Sequence, residues 1–256
     1  MEITEHPPTG RDRRPALSLF AGGALSGAAV VVLALTLAGV LRPGGSPSPS
    51  GASPTPDAVV GPLVTLPPIV GPSVVTPTDL AVGHALGALD APVTIEIWAD
   101  FQCPYCALFA SLVEPRIVDT YVESGRARLV FRDLAFLGEE SRWAAVAARL
   151  AEEQSAFWPF HDYLFANQQG ENRGSFAIER LREIAGRVGL DRATFDAGLE
   201  LEAARALFAE IRAEFETDAA RLGIRSTPTV TVNGTVVDGN DWETVKAAID
   251  GALTGG

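Results

Sequence analysis

The sequence predicts an α/β domain with a multi-helix insertion, set behind an apolar span and a proline-rich linker. Three observations carry this reading. The run Val93-Thr94-Ile95-Glu96-Ile97-Trp98 is β-branched and apolar, as a buried strand would be, and it leads into a turn that opens a helix. Residues 139–222 are rich in alanine, leucine, arginine and glutamate, the composition of helix. After them, two short alternating runs flank Asn233-Gly234, a strong signal for a two-residue hairpin.

Residues 1–15 are short and polar, with Arg11, Arg13 and Arg14 near their end. Residues 16–41 then carry no charge. As a helix at about 1.5 Å per residue they exceed the roughly 30 Å hydrocarbon core of a bilayer. The arginines before the span, with only Arg42 close behind it, place the N-terminus in the cytoplasm and the rest outside. A cleaved signal peptide shares the basic start and apolar centre, and Thr36-Leu37-Ala38 is a marginal cleavage site. The span is longer than a signal core of about 7–15 residues, which favours an uncleaved, single-pass anchor.

Residues 42–78 are a Pro/Gly/Ser-rich linker whose charges are Arg42 and Asp57. Repeated proline forbids helix and favours extended, polyproline-like chain, so this tract reads as a spacer. Residues 1–78 hold four acids and four arginines, so the whole formal charge of −12 lies in residues 79–256. An acidic domain argues against nucleic-acid binding and against adhesion to anionic lipid.

Within the domain, strand 93–98 is followed by Asp100-Phe101-Gln102-Cys103-Pro104-Tyr105-Cys106, which holds the only two cysteines of the chain. A C-x-x-C at a strand-to-helix junction puts the first sulfur at a helix N-terminus. There unpaired amides and the macrodipole stabilise an anion, here the thiolate that attacks disulfides. The second sulfur lies one turn on, within reach to close a ring. Competing readings are weaker. A structural zinc site usually takes four N/S ligands, no second C-x-x-C is present, and His6, His84 and His161 have no ligand spacing to the cysteines. A copper relay lacks a soft third ligand, Met1 being the only methionine. A structural disulfide closing so short a loop restricts the unfolded chain very little. The pair therefore reads as a redox dithiol, with Cys103 as nucleophile and Cys106 as resolving thiol, and with no metal or other cofactor.

Glu114-Pro115 should stop or kink the helix that starts at Cys103. A second strand follows at 127–131, parallel to the first by the usual right-handed crossover. Gly170-Glu171-Asn172-Arg173-Gly174 and Gly189-Leu190-Asp191 divide the insertion into several helices. Its aromatic cluster, Phe157, Trp158, Phe160, Tyr163, Leu164 and Phe165, reads as core, with His161 structural among it. A closing helix runs from Trp242 to Ile249.

The run Asp90-Ala91-Pro92-Val93-Thr94-Ile95 followed by the C-P-Y-C turn, with Phe131-Arg132-Asp133, Phe157-Trp158-Pro159-Phe160-His161-Asp162 and Gly223-Ile224-Arg225-Ser226-Thr227-Pro228-Thr229 in order, resembles the DsbA-like branch of the thioredoxin superfamily. The resemblance covers about residues 79–251. It implies a thioredoxin fold with a helical insertion over about 139–222, and a cis peptide before Pro228. It also implies that Thr227 and Pro228 meet the substrate, while Pro104 and Tyr105 tune the thiolate. Relatives often carry a carboxylate six residues before the first cysteine. Here that position is Ile97, and Glu96, one residue away, falls on the opposite face of the strand. The activity implied is an extracytoplasmic thiol–disulfide oxidoreductase that donates its disulfide to cysteine-containing secreted or cell-envelope proteins and is reset by a membrane redox partner. A disulfide reductase, for example in cytochrome maturation, and a non-redox substrate-binding or chaperone module are the alternatives.

Overall fold

The computed structural model describes residues 66–239 and 241–255. The expected N-terminal segment 1–15, the apolar span 16–41 and the linker up to residue 65 lie outside the described residues. Among those described, no helix is long and apolar enough to cross a membrane.

Six strands form one sheet: β1 (Ala81–Val82), β2 (Ala85–Leu86), β3 (Val93–Ala99), β4 (Ala127–Asp133), β5 (Thr229–Val232) and β6 (Thr235–Val237). Their order is β1-β2-β4-β3-β5-β6. β3 and β4 are parallel, with Ile95 opposite Leu129 and Ile97 opposite Phe131; β5 lies antiparallel on the other side of β3. β3 is flanked on both edges, and its Val93, Ile95, Ile97 and Trp98 are all buried, which explains its near-continuous apolar sequence. The Asn233-Gly234 hairpin forms as the sequence predicts, both residues having positive φ (48° and 75°). Asn233 also ties the turn to β3: Thr94 N–H donates to its Oδ1 at 2.8 Å, and its own N–H donates to Thr94 O at 2.8 Å. The β1–β2 pair, absent from the sequence reading, adds an edge beside β4. Two-residue strands built largely on alanine carry no alternating pattern to read.

After β3 come α1 (Pro104–Leu112), α2 (Glu114–Ile117) and a π-helical turn (Val118–Val122). The expected interruption at Pro115 is the α1/α2 boundary. The insertion consists of α3 (Glu139–Glu152), α4 (Phe157–Ala166), α5 (Ile178–Val188), α6 (Arg192–Gly198) and α7 (Leu201–Leu222). Both expected glycine breaks are present: Gly170 and Gly174 have positive φ between α4 and α5, and Gly189 caps α5 in the left-handed region. Two further breaks were not expected: the one at Ser155 (φ 58°) carries no glycine or proline, and at the other α6 ends on Gly198 before Leu199-Glu200. The closing helix α8 (Trp242–Thr254) is capped by Asp241, which accepts from Thr244 N–H at 2.9 Å.

α3 presents Ala144, Ala145, Ala147, Ala148 and Ala151 to the interior, all fully buried. Small side chains there let neighbouring helices approach closely. The aromatic cluster of α4 is core, as read: Phe157, Trp158 and Phe160 are buried, and His161 packs against Phe101, Phe131 and Phe165 at ring-centroid distances of 5.9, 5.2 and 4.8 Å.

Residues 66–78, the end of the proline-rich tract, run without regular secondary structure along the domain and are held by it. Val70 exchanges two hydrogen bonds with the Asn167 side chain (2.8 and 2.9 Å), Thr76 donates from N and Oγ1 to Asp162 (2.7 and 2.9 Å), and Ile69 is buried. Extended chain cannot satisfy its own amides, so it takes partners from α4 and the loop beyond it.

Candidate active site

β3 delivers the chain to Asp100 at the C-terminal edge of the parallel pair, and Cys103 follows as the N-cap of α1, with φ −72° and ψ 118°. Pro104 takes the first helical position, where its missing N–H costs nothing. Cys103 N–H donates to Asp100 O (3.0 Å), while Cys103 O accepts from Cys106 and Ala107 N–H (3.0 and 3.2 Å). The turn is thus closed by backbone on both sides of the first thiol.

Both cysteines are free thiols, Cys103 with 6% of its surface exposed and Cys106 with 1%. Thr227–Pro228 is a cis peptide, and Cys103 Sγ donates to Thr227 O at 3.3 Å. The structure therefore joins residues 124 positions apart at one sulfur. The two thiols differ sharply in acidity. Cys103 is lowered from 9.0 to about 6, chiefly by a hydrogen bond from the Cys106 thiol; burial opposes this, and Thr227 and the backbone amides of Cys106 and Tyr105 add to it. Burial pushes the Cys106 thiol up, and its hydrogen bond to Cys103 pushes it the same way. A thiolate on Cys103 beside a protonated Cys106 is the arrangement of an attacking sulfur and a proton-holding second sulfur.

Tyr105, Leu108 and Leu112 are exposed along α1, and with Thr227 and Pro228 they line a groove of about 480 Å³. So much exposed apolar surface beside a reactive sulfur suits an unfolded or extended peptide.

Four polar side chains, Asp100, Gln102, Ser141 and Gln168, hold the turn. The Asp100 carboxylate accepts from Gln102 N–H and Ser141 Oγ on Oδ1 (2.8 and 2.7 Å) and from Phe136 and Leu137 N–H on Oδ2 (2.9 and 3.0 Å). Its charge is thereby aimed at the β4–α3 loop. Gln102, fully buried, donates from Nε2 to Ser141 Oγ at 2.8 Å and accepts from Asn172 N–H at Oε1. Gln168 Nε2 donates to Phe101 O at 2.8 Å. The insertion therefore grips the C-x-x-C turn from two loops. Glu96 points elsewhere: it pairs with Arg132 and accepts from Thr231 Oγ1 at 2.8 Å.

Residues 79–251 match the family described as thioredoxin. Disulfide bond formation protein D of Bacillus subtilis is 30% identical over 175 residues, covering 66% of this chain and 77% of that protein. The crystal structure of oxidised BdbD from Bacillus subtilis superposes with a TM-score of 0.61 at 27% identity, covering 67% of this chain and 93% of the other. The alpha-DsbA1 of Wolbachia pipientis shares the fold at 20% identity and a TM-score of 0.59, over 67% and 91% of the two chains. Sheet order, helical insertion, a thiol pair at the head of α1 and these likenesses agree, and the chain belongs to the DsbA-type oxidoreductases of the thioredoxin family, as a protein thiol–disulfide oxidoreductase.

Proposed function

We propose that the protein is a disulfide-donating oxidase that works outside the cytoplasm, with Cys103 as the sulfur exchanged with substrate and Cys106 as the resolving thiol. The observation that carries this reading is the unequal acidity of the two thiols, Cys103 lowered to about 6 and Cys106 raised. In the oxidised protein a substrate thiolate attacks Cys103 Sγ, the Cys103–Cys106 bond breaks, and Cys106 leaves and takes a proton. A second substrate thiolate then attacks the substrate sulfur of the mixed disulfide and expels Cys103 as thiolate. The substrate is left oxidised by two electrons and the dithiol reduced. A leaving thiol of low pKa departs faster, and a stabilised thiolate favours the reduced protein, so both effects push the disulfide outward.

Thr227 and Pro228 form the opposite wall of the sulfur site, where an extended substrate segment lies across the groove, and Pro104 and Tyr105 tune the thiolate from within the turn. Substrates are cysteine-containing secreted or envelope proteins, and a membrane redox partner withdraws the electrons again. The uncharged span 16–41, preceded by Arg11, Arg13 and Arg14, supports a single-pass anchor with the catalytic domain outside.

The test is covalent trapping. With Cys106→Ala, a mixed disulfide through Cys103 has no internal release, so reducible adducts with secreted cysteine proteins should accumulate; Cys103→Ala should give none. Equal trapping by the two variants would contradict the assigned order of attack.

A further inference from the structure

Away from the thiols, three ionisable side chains meet in the interior: Glu114 at the start of α2, and His161 and Asp162 on α4. They are 3%, 1% and 8% exposed, and one ligand atom from each lies within 4.8 Å of the others. Asp162 is committed. It accepts from Thr76 N–H and Oγ1 and meets His161 Nδ1 at 3.0 Å. That contact has Nδ1–H donating to Asp162 and turns Nε2 toward Glu114.

His161 Nε2 is fully buried and has no hydrogen-bond partner. Glu114 Oε2 stands 3.8 Å from it, beyond the roughly 2.7–3.2 Å of a hydrogen bond. Two bonds of about 2.0–2.2 Å to a shared tetrahedral ion place nitrogen and oxygen roughly 3.3–3.6 Å apart. The gap is too long for a shared proton and closes to a bridging cation with a shift of a few tenths of an ångström. Charge argues the same way: among the described residues, the two carboxylates have no arginine or lysine ion-pair partner, only His161. A cavity of about 60 Å³, lined by His161, Asp162 and Pro72-Ser73-Val74 but not by Glu114, adjoins the cluster on its α4 side and has room for water.

We propose that Glu114 and His161 Nε2 are ligands of a structural divalent metal ion of the zinc type, with Asp162 holding the imidazole and cavity water filling the remaining positions. An imidazole with a carboxylate suits zinc by donor type, and binding displaces whatever proton Glu114 carries. The ion joins α2 to α4 and, through Asp162 and Thr76, to the docked segment 66–78.

The experiment uses the full-length protein in its oxidised form, so that the cysteines cannot ligate metal, purified without a polyhistidine tag and stripped with chelator. Calorimetric titration with Zn²⁺ should give one site per chain, a raised thermal midpoint, and at least tenfold weaker binding for Glu114→Gln. X-ray absorption on the wild-type zinc complex should show imidazole and oxygen ligands with no sulfur, a readout that needs no folded variant. Absence of stoichiometric binding by the wild type, binding unchanged in a folded Glu114→Gln, or a shell without imidazole would overturn the proposal.

Discussion

At Cys103, one sulfur gathers the effects of several elements: the head of α1, the Thr227–Pro228 loop and the neighbouring thiol. Its fall from 9.0 to about 6 has a definite pH signature. A depressed folded pKa adds stability to the reduced protein that is fully present above 9.0 and is lost as pH falls through about 6. The oxidised protein has no such group. The reduced form should therefore gain on the oxidised form as pH rises across that window, and thiolate ultraviolet absorbance should titrate near 6. A midpoint near the ordinary cysteine value would contradict the site geometry. The spacing of Cys103 and Cys106 and the strand before them made this pair legible in the sequence. Gln102 and Ser141 were not, because their partners lie 39 and 70 positions away along the chain and no local pattern marks a contact of that reach.

Two helix boundaries were legible from glycine and proline: Pro115 separates α1 from α2, and Gly189 ends α5 within the insertion. The break at Ser155 was not, since a left-handed serine follows from how α3 and α4 pack rather than from its own preference. The alanine face of α3 is the element on which the insertion closes, and it tests that packing. Ala147 is fully buried. Ala147→Leu should overpack this contact and cost about 1–3 kcal/mol, read by urea denaturation at unchanged m-value. A neutral result would mean that α3 is not close-packed. The short pair β1–β2 shows the opposite limit, where pairing is imposed by β4 on residues with no strand signal of their own.

Over the whole molecule, the acidic charge confined to residues 79–256, the proline-rich tract and the parallel β3–β4 pair are all legible in the sequence. The docking of residues 66–78 is not, because its hydrogen bonds run to Asn167 and Asp162, 97 and 86 positions on. The proposed disulfide donation requires that this fold stabilise the reduced dithiol relative to the disulfide. Equilibration of the protein in glutathione buffers, with the fraction of Cys103–Cys106 disulfide quantified at each ratio, tests it most directly. A moderate oxidant is expected, with a reduction potential between the roughly −270 mV of thioredoxin and the roughly −120 mV of DsbA. A potential at or below that of thioredoxin would contradict it and make the protein a reductase.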